Sequence, residues 1–441
     1  MRRYSEAIWI LVGMFPVVPA WAQEQQRQPP PEFRSGYALP PLNAPMPRAE
    51  VFTVVDLLVL LAVLSLTAWF LLGARSRAGV RVLAVFSLLY FGFYRLGCVC
   101  SIGAVQNVAL ALVEPGYVLP WSVGLFFLLP LVFALFFGRV FCAAACPLGA
   151  LQDLVLIRSR RLPAFLEQGL SLIPYLYLGA GLLMAATGTS FLFCQYDPFV
   201  GFFRFGGPAT VMAFGAALLL LSTVVGRPFC RFLCPYGVLL RACSGVARWR
   251  VRIAPSACVQ CHLCADACPF GAIRPVTPNA DLEPRPVGRR RLAVLILLLP
   301  LLVIGFSALG HLASPALARQ NRVIALAERV WLEEQGQLWQ TTEASEGFWN
   351  SGRPPAELYR EALAVRRRFG IGATLLGGWF GLVVGGRLIL LAMRRRRTEY
   401  EADPGACLSC ARCYAACPVR GEVSISLPHR VTGETGVTWS R

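Results

Sequence analysis

Lysine is absent from this chain, histidine occurs three times, and charged residues make up only 15% of it. Each shortage excludes something. Without lysine, the whole formal balance of +18 rests on arginine. That marks a compositional bias rather than a nucleic-acid-binding face. Much of the charge stands beside apolar runs, where it fixes orientation and attracts anionic lipid. Of His262, His311 and His429, only His311 lies near an apolar run, so a haem held by two histidines of one chain is excluded, and no Cys-x-x-Cys-His element offers covalent attachment. Paired carboxylates, a Ser-His-Asp set and a phosphate loop are missing too, which leaves hydrolytic and phosphoryl-transfer chemistry without candidates.

What is abundant is apolar. Hydrophobic residues are 56% of the chain and the mean hydropathy is +0.57, far above a soluble domain, so we expect a membrane protein. Residues 1–22 read as a signal peptide, with Arg2 and Arg3 before an apolar core and cleavage after Ala20-Trp21-Ala22. A Pro-rich periplasmic linker covers 23–50. Seven runs then suffice for a bilayer, near 51–72, 80–96, 117–137, 172–192, 209–225, 292–308 and 371–393. Arg75 and Arg77, Arg158 to Arg161, Arg289 to Arg291 and Arg394 to Arg397 all fall on one side, which the positive-inside rule makes cytoplasmic. Arg366 to Arg368 lie on the other side, in a loop long enough to weaken that bias.

Sixteen cysteines carry the chemistry. Two runs share one pattern: Cys258-x2-Cys261-x2-Cys264-x3-Cys268-Pro269 and Cys407-x2-Cys410-x2-Cys413-x3-Cys417-Pro418. Three close thiolates cap three corners of a 4Fe-4S cube, and the fourth, before proline, reaches to a second cube. Structural zinc comes as separated Cys-x-x-Cys pairs, and disulfides give no reason for two identical runs ending in proline. We therefore expect two 4Fe-4S clusters in one bacterial-type α+β ferredoxin domain, split between cytoplasmic segments 246–288 and 398–441. In this arrangement Cys258, Cys261 and Cys264 join Cys417, while Cys407, Cys410 and Cys413 join Cys268; two self-contained sites are the alternative. A hairpin at 289–397, with a helical periplasmic loop at 314–369, carries the chain out and back. Ala373, Gly377, Gly381 and Gly385 give its second span a face for close helix contact.

The middle of the chain is duplicated. Gly138-Arg139-Val140-Phe141-Cys142-x3-Cys146-Pro147-x-Gly149 recurs 88 residues on as Gly226-Arg227-Pro228-Phe229-Cys230-x3-Cys234-Pro235-x-Gly237. After a first span at 51–75, residues 80–245 thus form a core of two hairpins. Four converging thiols, Cys142, Cys146, Cys230 and Cys234, suit either a third cluster or a redox dithiol set whose pKa values Arg139, Arg227 and Arg231 draw down. Cys98, Cys100 and Cys194 form an outer group, read either as a disulfide with a spare thiol or as a periplasmic redox site beside Arg95 and Arg204. Cys243 reads as a free thiol.

On the two Phe-Cys-x3-Cys-Pro-x-Gly elements and the ferredoxin run that follows them, the chain resembles the membrane polyferredoxins of the NapH and NosR type, with CcoG-like relatives. The resemblance covers about residues 82–273 and 407–425. It implies an all-α polytopic inner-membrane protein that moves single electrons between a quinone pool or cytoplasmic donor and a periplasmic redox partner. Such a chain is a component of an oxidoreductase system rather than a stand-alone enzyme. A redox-sensing or copper-enzyme maturation factor is the alternative. Residues 23–50 are too few for the flavin-binding domain of NosR-like members, and no covalent flavin-attachment element is present, so no covalent flavin is expected.

Overall fold

The computed structural model describes residues 49–97, 101–160, 162–253, 258–277, 285–393, 397 and 400–418. The expected signal peptide, most of the linker, Cys98 and Cys100 lie outside them. The described chain is almost entirely helical. Helix α1 (Glu50–Leu72) is apolar on nearly every face; of its two carboxylates, Glu50 stands in the first turn and Asp56 is buried. Helix α2 (Arg77–Ser87) is capped by the Ser76 hydroxyl, which accepts the Gly79 N–H, and runs into a π-helical stretch at Leu88–Tyr94. Helices α3 (Ser101–Val113) and α4 (Trp121–Phe137) follow.

After the first Cys-Pro come α5 (Pro147–Leu154) and α6 (Ile173–Ala186), then α7 (Ala209–Ser222) and, after the second Cys-Pro, α8 (Pro235–Gly245). A hairpin of α9 (Arg285–Ala318) and α11 (Pro355–Ala392) brackets α10 (Arg322–Glu334).

Among the described residues five helices are long and apolar enough to cross a membrane: Glu50–Leu72, Arg77–Tyr94, Ala164–Ala186, Pro286–Ala318 and Pro355–Ala392. The runs expected to span at 117–137 and 209–225 form the shorter apolar helices α4 and α7, and α3 stands where no span was expected.

The hairpin shows most directly that lipid is the solvent. None of the apolar window of α9 is buried inside the protein (0%), so its outward side chains are left for lipid, which a continuous helix tolerates because every backbone group is satisfied internally. What holds α9 to α11 is backbone contact. A methyl group on Gly377 would stand 2.0 Å from the Phe306 carbonyl, and one on Gly310 would stand 2.1 Å from that of Ala373. The face of small residues read from the sequence is the seam of this hairpin.

Helix α11 starts after Pro354 and runs 38 residues without a break. The loop's second helix and the last span are therefore one rod of about 57 Å at 1.5 Å per residue. Ala327, Val330, Phe348 and Leu358 close a small core beneath it.

Candidate functional site

The two ferredoxin halves, distant in sequence, meet edge to edge. Strand β1 (Ile273–Arg274) pairs antiparallel with β2 (Glu401–Ala402), Ile273 opposite Ala402 and Arg274 opposite Glu401. Asp403 N–H adds a bond to the Ala272 carbonyl at 2.8 Å. The halves also share one local backbone. In each Cys-x-x-Cys-x-x-Cys loop the residues either side of the second cysteine have positive φ: Gln260 (53°) and His262 (63°), Ser409 (53°) and Ala411 (59°). None is glycine, so each left-handed residue costs about 1–3 kcal/mol and persists only where its surroundings over-determine it. Such turns aim successive N–H groups inward, as anion-binding nests do. The Ser409 and Arg412 N–H groups accordingly bear on the Cys407 and Cys410 sulfurs.

A cavity of ≈ 360 Å³ between the halves is lined by Cys268 together with Cys407, Cys410 and Cys413. The fourth cysteine of one run thus stands with three of the other. In the partner set, Cys258 and Cys261 bear electrostatically on Cys264, and the Tyr400 hydroxyl meets His262 of the same loop. Cys417 is half-buried at the end of the short helix Arg412–Ala416.

The duplicated elements build a second cavity, of ≈ 560 Å³, on which Cys142, Cys146, Cys230 and Cys234 all open, with Arg139, Tyr236 and Asp197. The motif explains the local fold. Cys146 and Cys234 are the N-cap residues of α5 and α8, and Pro147 and Pro235 take the first helical position, where a missing N–H costs nothing. The Gly237 N–H donates to the Cys234 sulfur at 3.3 Å. The Gly149 N–H bears on Cys146 in the same relation, although outside hydrogen-bond geometry. Two helix N-termini therefore point their positive ends at one cavity.

The arginines draw these thiols down as expected, but burial outweighs them. Burial pushes the Cys230 thiol up to about 11 against the pull of Arg227, and burial likewise raises Cys146 and Cys234 well above the ordinary thiol range. Arg231 is engaged elsewhere, with Glu167 at 2.6 Å and the Phe270 carbonyl. Neutral buried thiols make poor redox dithiols.

Buried cations surround these sites. Arg139 is 6% exposed and Arg227 fully buried. Arg227 has a counter-ion, Asp153, at 3.6 Å, which also binds Arg77 at 2.6 Å and Arg412 at 2.9 Å. Burial alone would raise the Asp153 carboxyl, but Arg227, Arg77 and Arg412 together hold it well below the usual carboxylate range. Arg139 donates to the Cys142 sulfur at 3.6 Å and to the Gly405 carbonyl at 3.2 Å. Its Nε has no partner, and among the described residues no carboxylate pairs with it. A buried cation without a counter-ion costs several kcal/mol. An anionic four-thiolate cluster in the adjoining cavity would supply the missing charge, so the residues present fit such a group. Among the described residues no three His, Cys, Asp or Glu side chains converge closely enough for a single metal ion.

The outer group is less assembled. Cys194 is exposed on the short helix Leu192–Gln195, and its expected companions Cys98 and Cys100 lie outside the described residues. Arg95, read beside them, is paired with buried Asp56 at 2.8 Å, and Arg204 reaches the Leu96 carbonyl. Cys243 is a half-buried free thiol. Sequence reading missed Asp153 and the roles of Arg77 and Arg412, which no motif flags.

A family model described as "4Fe-4S binding domain" matches residues 119–164 and 207–254, the two halves of the duplicated core, and another of the same description matches 251–274. The regulatory protein NosR of Pseudomonas aeruginosa is 33% identical over 43% of this chain and 29% of its own length. Protein NirI of Paracoccus denitrificans is 32% identical over 38% of this chain and 26% of its own length. The chain is thus similar to NosR and NirI over part of its length and carries matches to 4Fe-4S binding domains. A putative electron transport protein, YccM of Escherichia coli, is 31% identical over 32% of this chain and 43% of that protein. The match thus spans less than half of each of these three relatives. No solved structure matches the chain.

Proposed function

We propose that this chain carries single electrons through three 4Fe-4S sites, two in the split ferredoxin domain and one in the duplicated membrane core, between a cytoplasmic or quinol donor and a periplasmic acceptor. One observation carries the reading. Arg139 stands between the two sulfur-lined cavities, bonded to Cys142 on one side and to Gly405, two residues before Cys407, on the other. The clusters supply the one-electron chemistry. The protein supplies thiolates, inward N–H groups, buried arginine charge and an apolar surround, the levers that set reduction potential. Cys268, with Cys407, Cys410 and Cys413, holds the cluster nearer the core; Cys258, Cys261 and Cys264, with Cys417, hold the outer one. The positive-inside arginines put this domain on the cytoplasmic face, where thiols stay reduced.

Iron and sulfide analysis with EPR on anaerobically purified protein tests this. Three clusters require about twelve irons, and two about eight. Serine at Cys142, Cys146, Cys230 and Cys234 lowers the count by about four, and an unchanged count refutes the core site. The name of the NosR relative, a regulatory protein, favours a second reading, in which the clusters report redox state or serve maturation of a copper enzyme. Sustained quinol-dependent turnover of the purified chain would oppose it.

A further inference from the structure

The two copies of the duplicated element interlock through their own motif residues. Arg227 of the second copy donates Nη1 to the Cys142 carbonyl of the first and Nη2 to that of Ala143, and a methyl group on Gly149 would stand 3.3 Å from its Nη1. Arg139 of the first copy lies in the same way against the second, 3.3 Å from where a methyl group on Gly237 would be. Each Cys-Pro-x-Gly glycine thus leaves room for the other copy's arginine, which gives the motif's Arg and Gly one reciprocal purpose.

The reciprocity breaks at one position. Asp153, four residues after Gly149, neutralises Arg227. At the equivalent place, four residues after Gly237, the second copy has Arg241. Arg139 is therefore left without a carboxylate among the described residues, its Nε unpaired, while its charge faces Cys142, Cys230, Cys234 and Cys407. Arg227, which faces both cavities too, has a counter-ion in Asp153, shared with Arg77 and Arg412.

We propose that Arg139 is the positioning residue that sets the reduction potential of the core site, its uncompensated charge favouring the electron there and at the adjoining Cys268/Cys407/Cys410/Cys413 site over the outer site. The inference rests on a cluster being held by the core cysteines. Reduction adds one negative charge to such a group, and a fixed buried cation stabilises the added charge with no proton or bond change.

EPR-monitored redox titration of the full chain tests it, with the core signal assigned by its loss in Cys230→Ser. Arg139→Gln lowers the core midpoint by about tenfold in the reduction equilibrium, 59 mV for a one-electron couple, and leaves the outer signal in place. Arg139→Lys retains the charge and most of the potential. Arg241→Asp, which installs the missing carboxylate and leaves Arg139 intact, also lowers the midpoint and serves if Arg139→Gln loses iron. A protein with about twelve irons whose core midpoint is unmoved by Arg139→Gln and Arg241→Asp overturns the role of Arg139 alone. A fall as large in Arg139→Lys as in Arg139→Gln overturns it too, since shape rather than charge then matters. A wild-type chain with about eight irons and no third signal overturns both this and the core cluster.

Discussion

Replacing Asp153 with Asn removes one charge from a site that three cations share. The carboxylate is 8% exposed, and its oxygens lie 2.6 Å from Arg77, 2.9 Å from Arg412 and 3.6 Å from the fully buried Arg227. These residues come from four places: the start of α2, the end of α5, the second Cys-Pro element and the second ferredoxin half. Arg77 also donates to the Cys410 carbonyl at 2.6 Å. The clamp therefore docks the ferredoxin domain onto the core. Removing one member of a buried charge network costs about 3–5 kcal/mol, chiefly because the remaining charge is left unpaired. In D153N the cost falls on docking, so on mild heating in detergent the site of Cys268, Cys407, Cys410 and Cys413 loses about four irons before the core unfolds.

The sign with pH follows from the direction of the shift. A carboxyl held below its ordinary value of about 3.9 contributes stability that is fully present above that value and is lost as pH falls through the lower folded one. The gap between wild type and D153N thus stays constant from about pH 8 to pH 5. Thermal melting followed by circular dichroism, with iron release by chelator colour, measures both effects. A variant that melts with wild type and keeps its iron refutes the clamp, and a gap that closes between pH 7 and 5 refutes the electrostatic account of it.

Cys268→Ser removes the cluster ligated by Cys407, Cys410 and Cys413 and spares that of Cys258, Cys261 and Cys264; EPR of the variant that shows the reverse loss identifies self-contained sites instead. Gly377→Val drives side-chain atoms against the Phe306 carbonyl, where a methyl group already stands at 2.0 Å, so the α9–α11 seam opens at a cost above the usual 1–3 kcal/mol of overpacking, read as a fall in melting temperature against a Gly386→Ala control, whose site is open. Burial pushes the Cys230 thiol up to about 11 and the Cys407 thiol up to about 12, so the metal-free sites hold protons at neutral pH that iron must displace. Reconstitution at fixed iron and sulfide therefore rises with pH from 6 to 9, and a flat iron-against-pH profile refutes it.

The cysteine runs were readable because cluster ligation is written locally: three thiolates at fixed spacing and a fourth that only a second run can satisfy. The α9–α11 seam was readable for a similar reason, since Gly377 and Gly381 fall on one helical face. Helix extents were less so. Hydropathy marks where lipid is tolerated, not where a helix stops, and so α11 absorbs Arg366 to Arg368 into one rod while the apolar runs near Trp121 and Ala209 give short helices. Thiol pKa was misjudged because neighbouring arginines are visible in sequence and burial is not. Around Cys230, burial outweighs Arg227.

The duplication holds the sharpest case. Both copies display Gly-Arg and Cys-Pro-x-Gly, yet nothing local says that each arginine serves the other copy's glycine, because the contact is closed only when the hairpins pack. Once it is closed, the difference between Asp153 and Arg241 acquires a meaning that the alignment of the two copies could not supply. A symmetric core with a carboxylate at both positions would give each arginine a counter-ion and weaken the field on the four thiols between them. With the carboxylate on one side only, Arg227 becomes part of the clamp that seats the ferredoxin domain, and Arg139 is left charged beside the core sulfurs. One substitution between the copies thus separates a docking arginine from an electrostatic one, and the variant Arg241→Asp, which restores the symmetry, tests that division directly.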